Sequence, residues 1–178
     1  PLNPQSPYAV SKVFSHYLTQ NYRNSYGIFA TSGILFNHES PLRGEEFVTR
    51  KIVINLIRIL KKESNYFELG NIYAKRDWGY AKEYVEAMWK MLQRKKPKDY
   101  VISTGKTYSI KEFINIATKY LKMKVKWTGK GLKERLINTR TNKTIIKINP
   151  KYFRPSEVNI LIGNYGRARK DLNWKPKT

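Results

Sequence analysis

The chain has 178 residues, contains no cysteine and carries a formal net charge of +22 at pH 7. The lack of cysteine excludes disulfides, thiolate zinc sites and cysteine nucleophiles. Hydrophobic residues make up 40% of the chain and aromatic residues 13%, which indicates a folded protein rather than a disordered one. There is no apolar run of membrane-spanning length and no signal-peptide pattern, so we expect a cytoplasmic protein without membrane contact.

The positive charge is spread through nearly every segment and is not gathered on one tail. Only small clusters occur, such as the basic residues at 61–62 and 94–96. This distribution is typical of a solvated basic surface, so no nucleic-acid partner is expected. A basic, non-catalytic module that binds nucleic acid stays open as an alternative, with steeply salt-dependent binding to arbitrary DNA as its signature.

The first predicted element is a helix that begins at Pro7, after Ser6 as its N-cap, and ends at about Tyr26 before Gly27. The apolar run 28–36 then predicts a strand buried on both faces. Further helices are predicted at 47–61, 78–94, 109–121 and 166–172, and further strands at 66–69, 100–104, 124–127 and 144–148.

Strands that alternate with helices predict an α/β fold with a sheet. Ser109 and Glu112 have the spacing of a capping box at the start of a helix. The segments 70–77 and 128–142 are expected to be irregular. The glycine-rich turn G-x-G-x-x-G, which binds the pyrophosphate of dinucleotides, does not occur in the sequence.

The stretch SPYAVSK places Tyr8 and Lys12 four residues apart, on one face of the first helix. A phenol and an ammonium one turn apart can bind the same ligand. A free tyrosine loses its proton only near pH ~10. A neighbouring cation favours the phenolate, which can then accept a proton from a sugar hydroxyl. Taken alone, the same spacing also suits an ordinary helix surface.

Four further stretches give this pair a context: GILFNHESPLRGEEFVTRKI, LGNIYAKRDWGYAKEYVEAMW, YFRPSEV and LNWKP. Together with SPYAVSK they resemble the extended short-chain dehydrogenase/reductases and, within them, the GDP-mannose 4,6-dehydratase family. The resemblance covers nearly the whole chain and weakens at 128–142. Two departures are Tyr80, where the family commonly has histidine, and Asn173, where it has glycine.

The resemblance implies that this chain is the C-terminal half of a longer enzyme. The glycine-rich turn and a catalytic Thr and Glu would lie in the preceding half. Residues 1–43 and 76–104 would then be C-terminal elements of a Rossmann-like NAD(P)-binding domain. Residues 44–75 and 105–178 would form a smaller α/β domain for the nucleotide sugar.

The activity implied by the resemblance is conversion of GDP-mannose to GDP-4-keto-6-deoxymannose and water, with transient reduction of NADP. The hydroxyl at sugar carbon 4 would lose its proton to Tyr8 while hydride passes to NADP. A carboxylate outside this chain would remove the proton on carbon 5, water would leave from carbon 6, and hydride would return there. The chain alone is therefore expected to be inactive, and the complete enzyme to be a dimer or tetramer.

Roles for single residues also follow from the resemblance. Tyr8 corresponds to the active-site base and Lys12 to its partner on the nicotinamide ribose, while His38 and Arg43 correspond to cofactor contacts. The positions on the GDP-mannose side are Asn37, Lys51, Arg76, Arg154 and Glu157. The two arginines suit a diphosphate because a guanidinium binds such oxygens bidentately.

Plainer interpretations stay open for several of these positions. Arg76 could form a surface ion pair with Asp77, and His38 could be a structural histidine. For the whole chain, the alternatives are a dehydratase or epimerase of UDP or dTDP sugars and a non-catalytic assembly module.

Overall fold

The computed structural model describes residues 2–153, 156 and 158–178. The chain folds into two compact units, each built from separated stretches. The first unit contains Pro1–Ser40, Arg76–Thr107 and Ile160–Thr178, and the second contains Pro41–Lys75 and Tyr108–Asn159. The final stretch therefore packs in the first unit, whereas the sequence-based prediction assigned it to the second.

Helices form close to the predicted positions in both units. Within the described residues they are α1 (Pro7–Tyr26), α2 (Val48–Leu60), α3 (Ala81–Leu92), α4 (Ile110–Tyr120) and α5 (Gly166–Leu172), with short 3₁₀ turns at Gly131–Lys133 and Pro150–Tyr152. The third helix begins three residues later than predicted, because Trp78–Tyr80 form a strand instead.

The strands are short. The five predicted ones all form at least in part, together with others that were not predicted, such as Lys75–Arg76 within the segment expected to be irregular. In the described part of the chain they are β1 (Gly33–Leu35), β2 (Asn37–Glu39), β3 (Phe67–Leu69), β4 (Lys75–Arg76), β5 (Trp78–Tyr80), β6 (Tyr100–Ile102), β7 (Tyr108–Ser109), β8 (Val125–Thr128), β9 (Arg135–Asn138), β10 (Thr144–Ile148) and β11 (Ile160–Leu161).

Local signals explain where the helices begin and end. The Ser6 side chain accepts a hydrogen bond from the Ala9 backbone N–H at 3.1 Å, and Gly27 takes a left-handed conformation after α1. The capping box of α4 is present as predicted. After α5, Asn173 adopts φ 48°, a conformation that asparagine tolerates better than most residues. This explains how asparagine can stand at that turn.

The first unit contains two parallel strand pairs, β1 with β6 and β2 with β5. Its core is formed by side chains from α3, α5, β6 and the last residues of the chain. The buried members include Tyr84, Ile102, Leu172 and Trp174. Parallel strands covered by helices confirm the predicted α/β class.

The second unit contains a four-stranded sheet in the order β3-β10-β9-β8. Strand β10 pairs in parallel with β3 and antiparallel with β9, and β8 pairs antiparallel with β9. Its core includes Ile52 and Leu56 from α2, Ile114 from α4 and Ile146 from β10. The expectation of an irregular 128–142 segment is wrong for β9, whose Leu136 is buried in this core.

Among the described residues, no helix is both long enough and apolar enough to cross a bilayer.

Candidate functional site

Tyr8 and Lys12 lie on the first turns of α1, as their spacing predicts. The Lys12 ammonium is 5.2 Å from the centroid of the Tyr8 ring. Tyr8 is 72% exposed, and Lys12 is exposed as well. The pair is thus near enough to act on one ligand and is accessible to a ligand from outside the unit.

None of the residues of α1 is buried. Polar contacts near the C-terminal end of this helix therefore hold it against the rest of the first unit. Arg23 donates two hydrogen bonds to the Asp99 carboxylate, at 2.8 and 3.0 Å. Gln20 donates to the same carboxylate at 3.0 Å, and the Ser32 backbone N–H donates at 2.9 Å. The hydrogen bonds from Arg23 hold the pKa of Asp99 far below its usual range. Asp99 therefore fixes the helix that presents Tyr8.

Asn37 and His38 lie on β2, where His38 is paired with Gly79 of β5. Nδ1 of His38 is 2.9 Å from the backbone carbonyl oxygen of Phe36. Because a carbonyl can only accept, this contact places the imidazole proton on Nδ1. Nε2 is then the nitrogen that remains available to a ligand.

The His38 ring packs against Tyr84, with 5.0 Å between ring centroids. Tyr84 is fully buried, and its burial raises the pKa of the phenol, as do the negative charges of Asp77 and Glu83. A Cβ at Gly79 would lie 2.3 Å from the Tyr84 ring. Glycine is therefore required beside His38 for this aromatic support to fit.

Arg76 lies on β4, is half-buried and immediately precedes Asp77. Asp77 is fully buried, and its carboxylate accepts hydrogen bonds from the backbone N–H groups of Thr104 and Gly105 at 2.8 and 2.9 Å. The interpretation of Asp77 as one half of a surface ion pair is therefore wrong. Its side chain is an internal contact of the first unit.

Arg43 and Lys51 belong to the second unit, so they are not in one compact unit with Tyr8. The Arg43 guanidinium is 3.6 Å from the centroid of the Phe47 ring. The Lys51 ammonium is 4.8 Å from the centroid of the Tyr152 ring. Each cation is thus held beside an aromatic face.

Two other predicted positions, Arg154 and Glu157, lie outside the described residues.

A buried ionic cluster in the second unit has no counterpart among the sequence-based predictions. Glu134, 3% exposed, accepts hydrogen bonds from the Lys111 ammonium and the Tyr73 hydroxyl, both at 2.6 Å. Burial acts to raise the pKa of Glu134, but these two hydrogen bonds lower it overall. The cluster ties the loop before β4 to the start of α4.

Comparison with known proteins supports the same family over the full length. The family model described as GDP-mannose 4,6 dehydratase matches residues 1–178. GDP-mannose 4,6 dehydratase of Drosophila melanogaster is 51% identical over 177 residues, which is 99% of this chain and 45% of the relative. The chain spans about half the length of the curated relatives it matches.

Solved structures with low sequence identity share the fold. RMD from Pseudomonas aeruginosa, complexed with NADPH, has a TM-score of 0.76 at 20% identity and covers 98% of this chain and 52% of its own. DesIV, a dTDP-glucose 4,6-dehydratase from Streptomyces venezuelae with NAD and TYD bound, has a TM-score of 0.79 at 19% identity, covering 100% and 48%. The predicted Rossmann-like fold is confirmed by these likenesses. The chain belongs to the GDP-mannose 4,6-dehydratase family.

Proposed function

We propose that this chain is the C-terminal half of an NADP-dependent GDP-mannose 4,6-dehydratase, a lyase that forms GDP-4-keto-6-deoxymannose and water. The observation that carries the proposal is the exposed Tyr8 and Lys12 pair on α1, in a chain whose curated relatives are GDP-mannose 4,6-dehydratases. The similar solved structures share only the fold with this chain, so they do not indicate which nucleotide sugar is the substrate.

In the proposed reaction, Tyr8 accepts the proton of the hydroxyl at sugar carbon 4. The Lys12 ammonium stabilises the phenolate and hydrogen-bonds the nicotinamide ribose. A carboxylate outside these 178 residues removes the proton on carbon 5, after which water leaves from carbon 6. Of the two protons removed, one leaves with the carbon 6 hydroxyl as water and the other returns to carbon 5, so carbon 4 keeps its carbonyl.

The residues of this chain fit the nicotinamide end of a cofactor. A bound nicotinamide would supply hydride transfer, with hydride leaving carbon 4 and returning to carbon 6. Lys12 offers an exposed ammonium to ribose hydroxyls, and His38 offers Nε2 because Nδ1 is committed to a backbone carbonyl. Arg43 is proposed as a further contact to the cofactor. The similar solved structures hold NADPH in one case and NAD in another, so the choice of NADP is proposed from the family resemblance.

GDP-mannose is proposed to contact Asn37, Lys51, Arg76, Arg154 and Glu157. The arginines bind the diphosphate through their planar forks, and Glu157 accepts hydrogen bonds from sugar hydroxyls. We further propose that the complete enzyme is a homo-oligomer, since α1 leaves large apolar side chains such as Phe14 and Tyr17 exposed.

The test completes the chain with the amino-terminal half of the Drosophila melanogaster relative and supplies GDP-mannose and NADP. We expect the sugar nucleotide to lose one water, detected by mass spectrometry, without net change in the cofactor. The control joins the two halves of the relative in the same way. A folded, NADP-binding hybrid that converts UDP-glucose or dTDP-glucose but leaves GDP-mannose intact would contradict the proposed substrate.

A further inference from the structure

Asp77 has a carboxylate that is hydrogen-bonded through both oxygens and that the proposed reaction does not use. Its Oδ1 accepts from the Thr104 backbone N–H at 2.8 Å and from the Thr104 hydroxyl at 2.7 Å. Its Oδ2 accepts from the backbone N–H groups of Gly105 at 2.9 Å and Gly163 at 3.3 Å. A fully buried carboxylate is tolerated only when hydrogen bonds replace its lost hydration.

These contacts join three separate stretches of the chain. Thr104 and Gly105 follow β6, Gly163 follows β11, and the Asp77 backbone N–H donates to the Leu161 carbonyl at 3.0 Å. A Cβ at Gly163 would lie 2.4 Å from the Cβ of Ser103, which shows how closely the stretches approach. Asp77 thus acts as a clamp. Both oxygens of its carboxylate are hydrogen-bonded, and its backbone N–H is held by a strand-like contact.

The clamp determines which way the preceding residue faces. Side chains alternate along an extended segment, and Asp77 and Gly79 are buried, while Arg76, Trp78 and Tyr80 are half-buried. Arg76 therefore lies on the opposite face from the clamp. A small rotation of the backbone at Asp77 would redirect the guanidinium, because the two residues are neighbours in the chain.

We propose that Asp77 is a positioning residue for Arg76, which it holds in the orientation that binds the diphosphate of the nucleotide sugar. This inference rests on the proposed function, in which Arg76 contacts that diphosphate. The carboxylate itself touches no substrate. It acts through the backbone that it anchors to Thr104, Gly105 and Gly163.

The experiment uses the hybrid enzyme described above and compares Asp77→Asn and Thr104→Val with the unchanged protein. The amide introduced by Asp77→Asn would set N–H groups against backbone N–H donors, whereas Thr104→Val replaces one hydroxyl with a methyl group and leaves the three backbone N–H donors to the carboxylate. We expect Asp77→Asn to raise KM for GDP-mannose about tenfold with kcat much less affected, and Thr104→Val to raise it about threefold. Asp171→Asn, which removes a carboxylate 2.9 Å from Lys98 in the same unit, should leave KM unchanged.

Two readouts separate positioning from general destabilisation. Competitive inhibition by GDP should weaken in both variants while inhibition by guanosine, which lacks phosphate, is unchanged. In an Arg76→Ala background, Asp77→Asn should have no further effect on KM, because the residue through which it acts is missing.

The outcomes distinguish this inference from the proposed function. If Arg76→Ala itself leaves KM unchanged, the proposed diphosphate contact is wrong and the inference falls with it. If Arg76→Ala raises KM but neither Asp77→Asn nor Thr104→Val does, only the positioning role is wrong. The positioning role would also be overturned if the effects of Arg76→Ala and Asp77→Asn on KM simply add in the double variant. Equal losses of inhibition by GDP and by guanosine would overturn it as well.

Discussion

Tyr8 presents its phenol to solvent one helical turn before the Lys12 ammonium, an arrangement that predicts proton transfer. In the completed enzyme, we expect Tyr8→Phe to lower kcat by roughly 10²- to 10⁴-fold, the usual contribution of a positioned acid or base. KM should change little, because the aromatic ring is retained. Steady-state kinetics test this, with Tyr17→Phe on the same helix as the matched control. Normal kcat in the Tyr8→Phe enzyme would rule out Tyr8 as the base.

The anchor of α1 predicts a pH dependence of stability. The folded-state pKa of Asp99 is lowered by Arg23, whereas an unfolded aspartate titrates near ~3.9. The stabilisation is therefore complete above about pH 4 and is lost as pH falls through the folded-state value. We expect the difference in unfolding free energy between the wild type and Asp99→Asn to shrink below about pH 4.

Urea titrations from about pH 7 to about pH 3 measure that difference. Glu45→Gln, at an exposed position, serves as the control and should show no such trend. A gap between wild type and Asp99→Asn that stays constant over the whole range would show that Asp99 does not anchor the helix through its charge.

Gly79 shows how one missing methyl group shapes the surroundings of His38. Because a Cβ there would lie 2.3 Å from Tyr84, Gly79→Ala should destabilise the protein by about 1–3 kcal/mol through overpacking. Chemical denaturation measures the loss. In a Tyr84→Leu background, Gly79→Ala should destabilise the protein less. An equal loss of stability in both backgrounds would show that the added methyl group does not clash with the Tyr84 ring.

At the scale of elements, helix α4 depends on its capping box. The Ser109 hydroxyl accepts from the Glu112 backbone N–H at 3.1 Å, and the Ser109 backbone N–H donates to the Glu112 carboxylate at 2.6 Å. We expect Ser109→Ala to lower the free energy of unfolding by about 1 kcal/mol. The urea midpoint reports this loss, and Ser25→Ala on exposed α1 is the control. Equal midpoints for the two variants would contradict a stabilising role of the cap.

Elements determined by local signals could be predicted from the sequence. The ends of α1 follow from Ser6, Pro7 and Gly27, and α4 follows from its capping box, since these contacts span only a few residues. Strand β5 falls within a predicted helix because its pairing with β2 is distant in sequence. Strand β9 is not predictable in this way because its one fully buried side chain, Leu136, gives no alternating pattern.

The same distinction applies to the candidate site. The spacing of Tyr8 and Lys12 is a local feature, so their common face was predictable. The anchoring of that helix was not, because Arg23 meets Asp99 across 76 residues of chain. The burial of Asp77 also depends on Thr104 and Gly163, which no local pattern connects to it.

For the whole molecule, the family resemblance implies that the 178 residues alone cannot turn over substrate, because the glycine-rich turn is not among them and the catalytic carboxylate would lie outside them. Large apolar side chains on α1 and α3, such as Phe14 and Trp89, are more than 60% exposed. We therefore expect the isolated chain to self-associate. Light scattering coupled to size exclusion tests this, and the hybrid enzyme should show a defined oligomer. Turnover by the isolated chain, or a stable monomer, would contradict these expectations.

The discontinuous make-up of the two units has a consequence for how the protein is made. Every stretch of the second unit precedes Ile160, whereas the first unit needs Leu172 and Trp174 for its core. During synthesis, the second unit can therefore close while the first still lacks part of its interior. Contacts between residues far apart in sequence also form slowly. Asp99, which anchors the helix that presents Tyr8, directly precedes Tyr100 of that core, so the support of this helix is complete only once the first unit has closed.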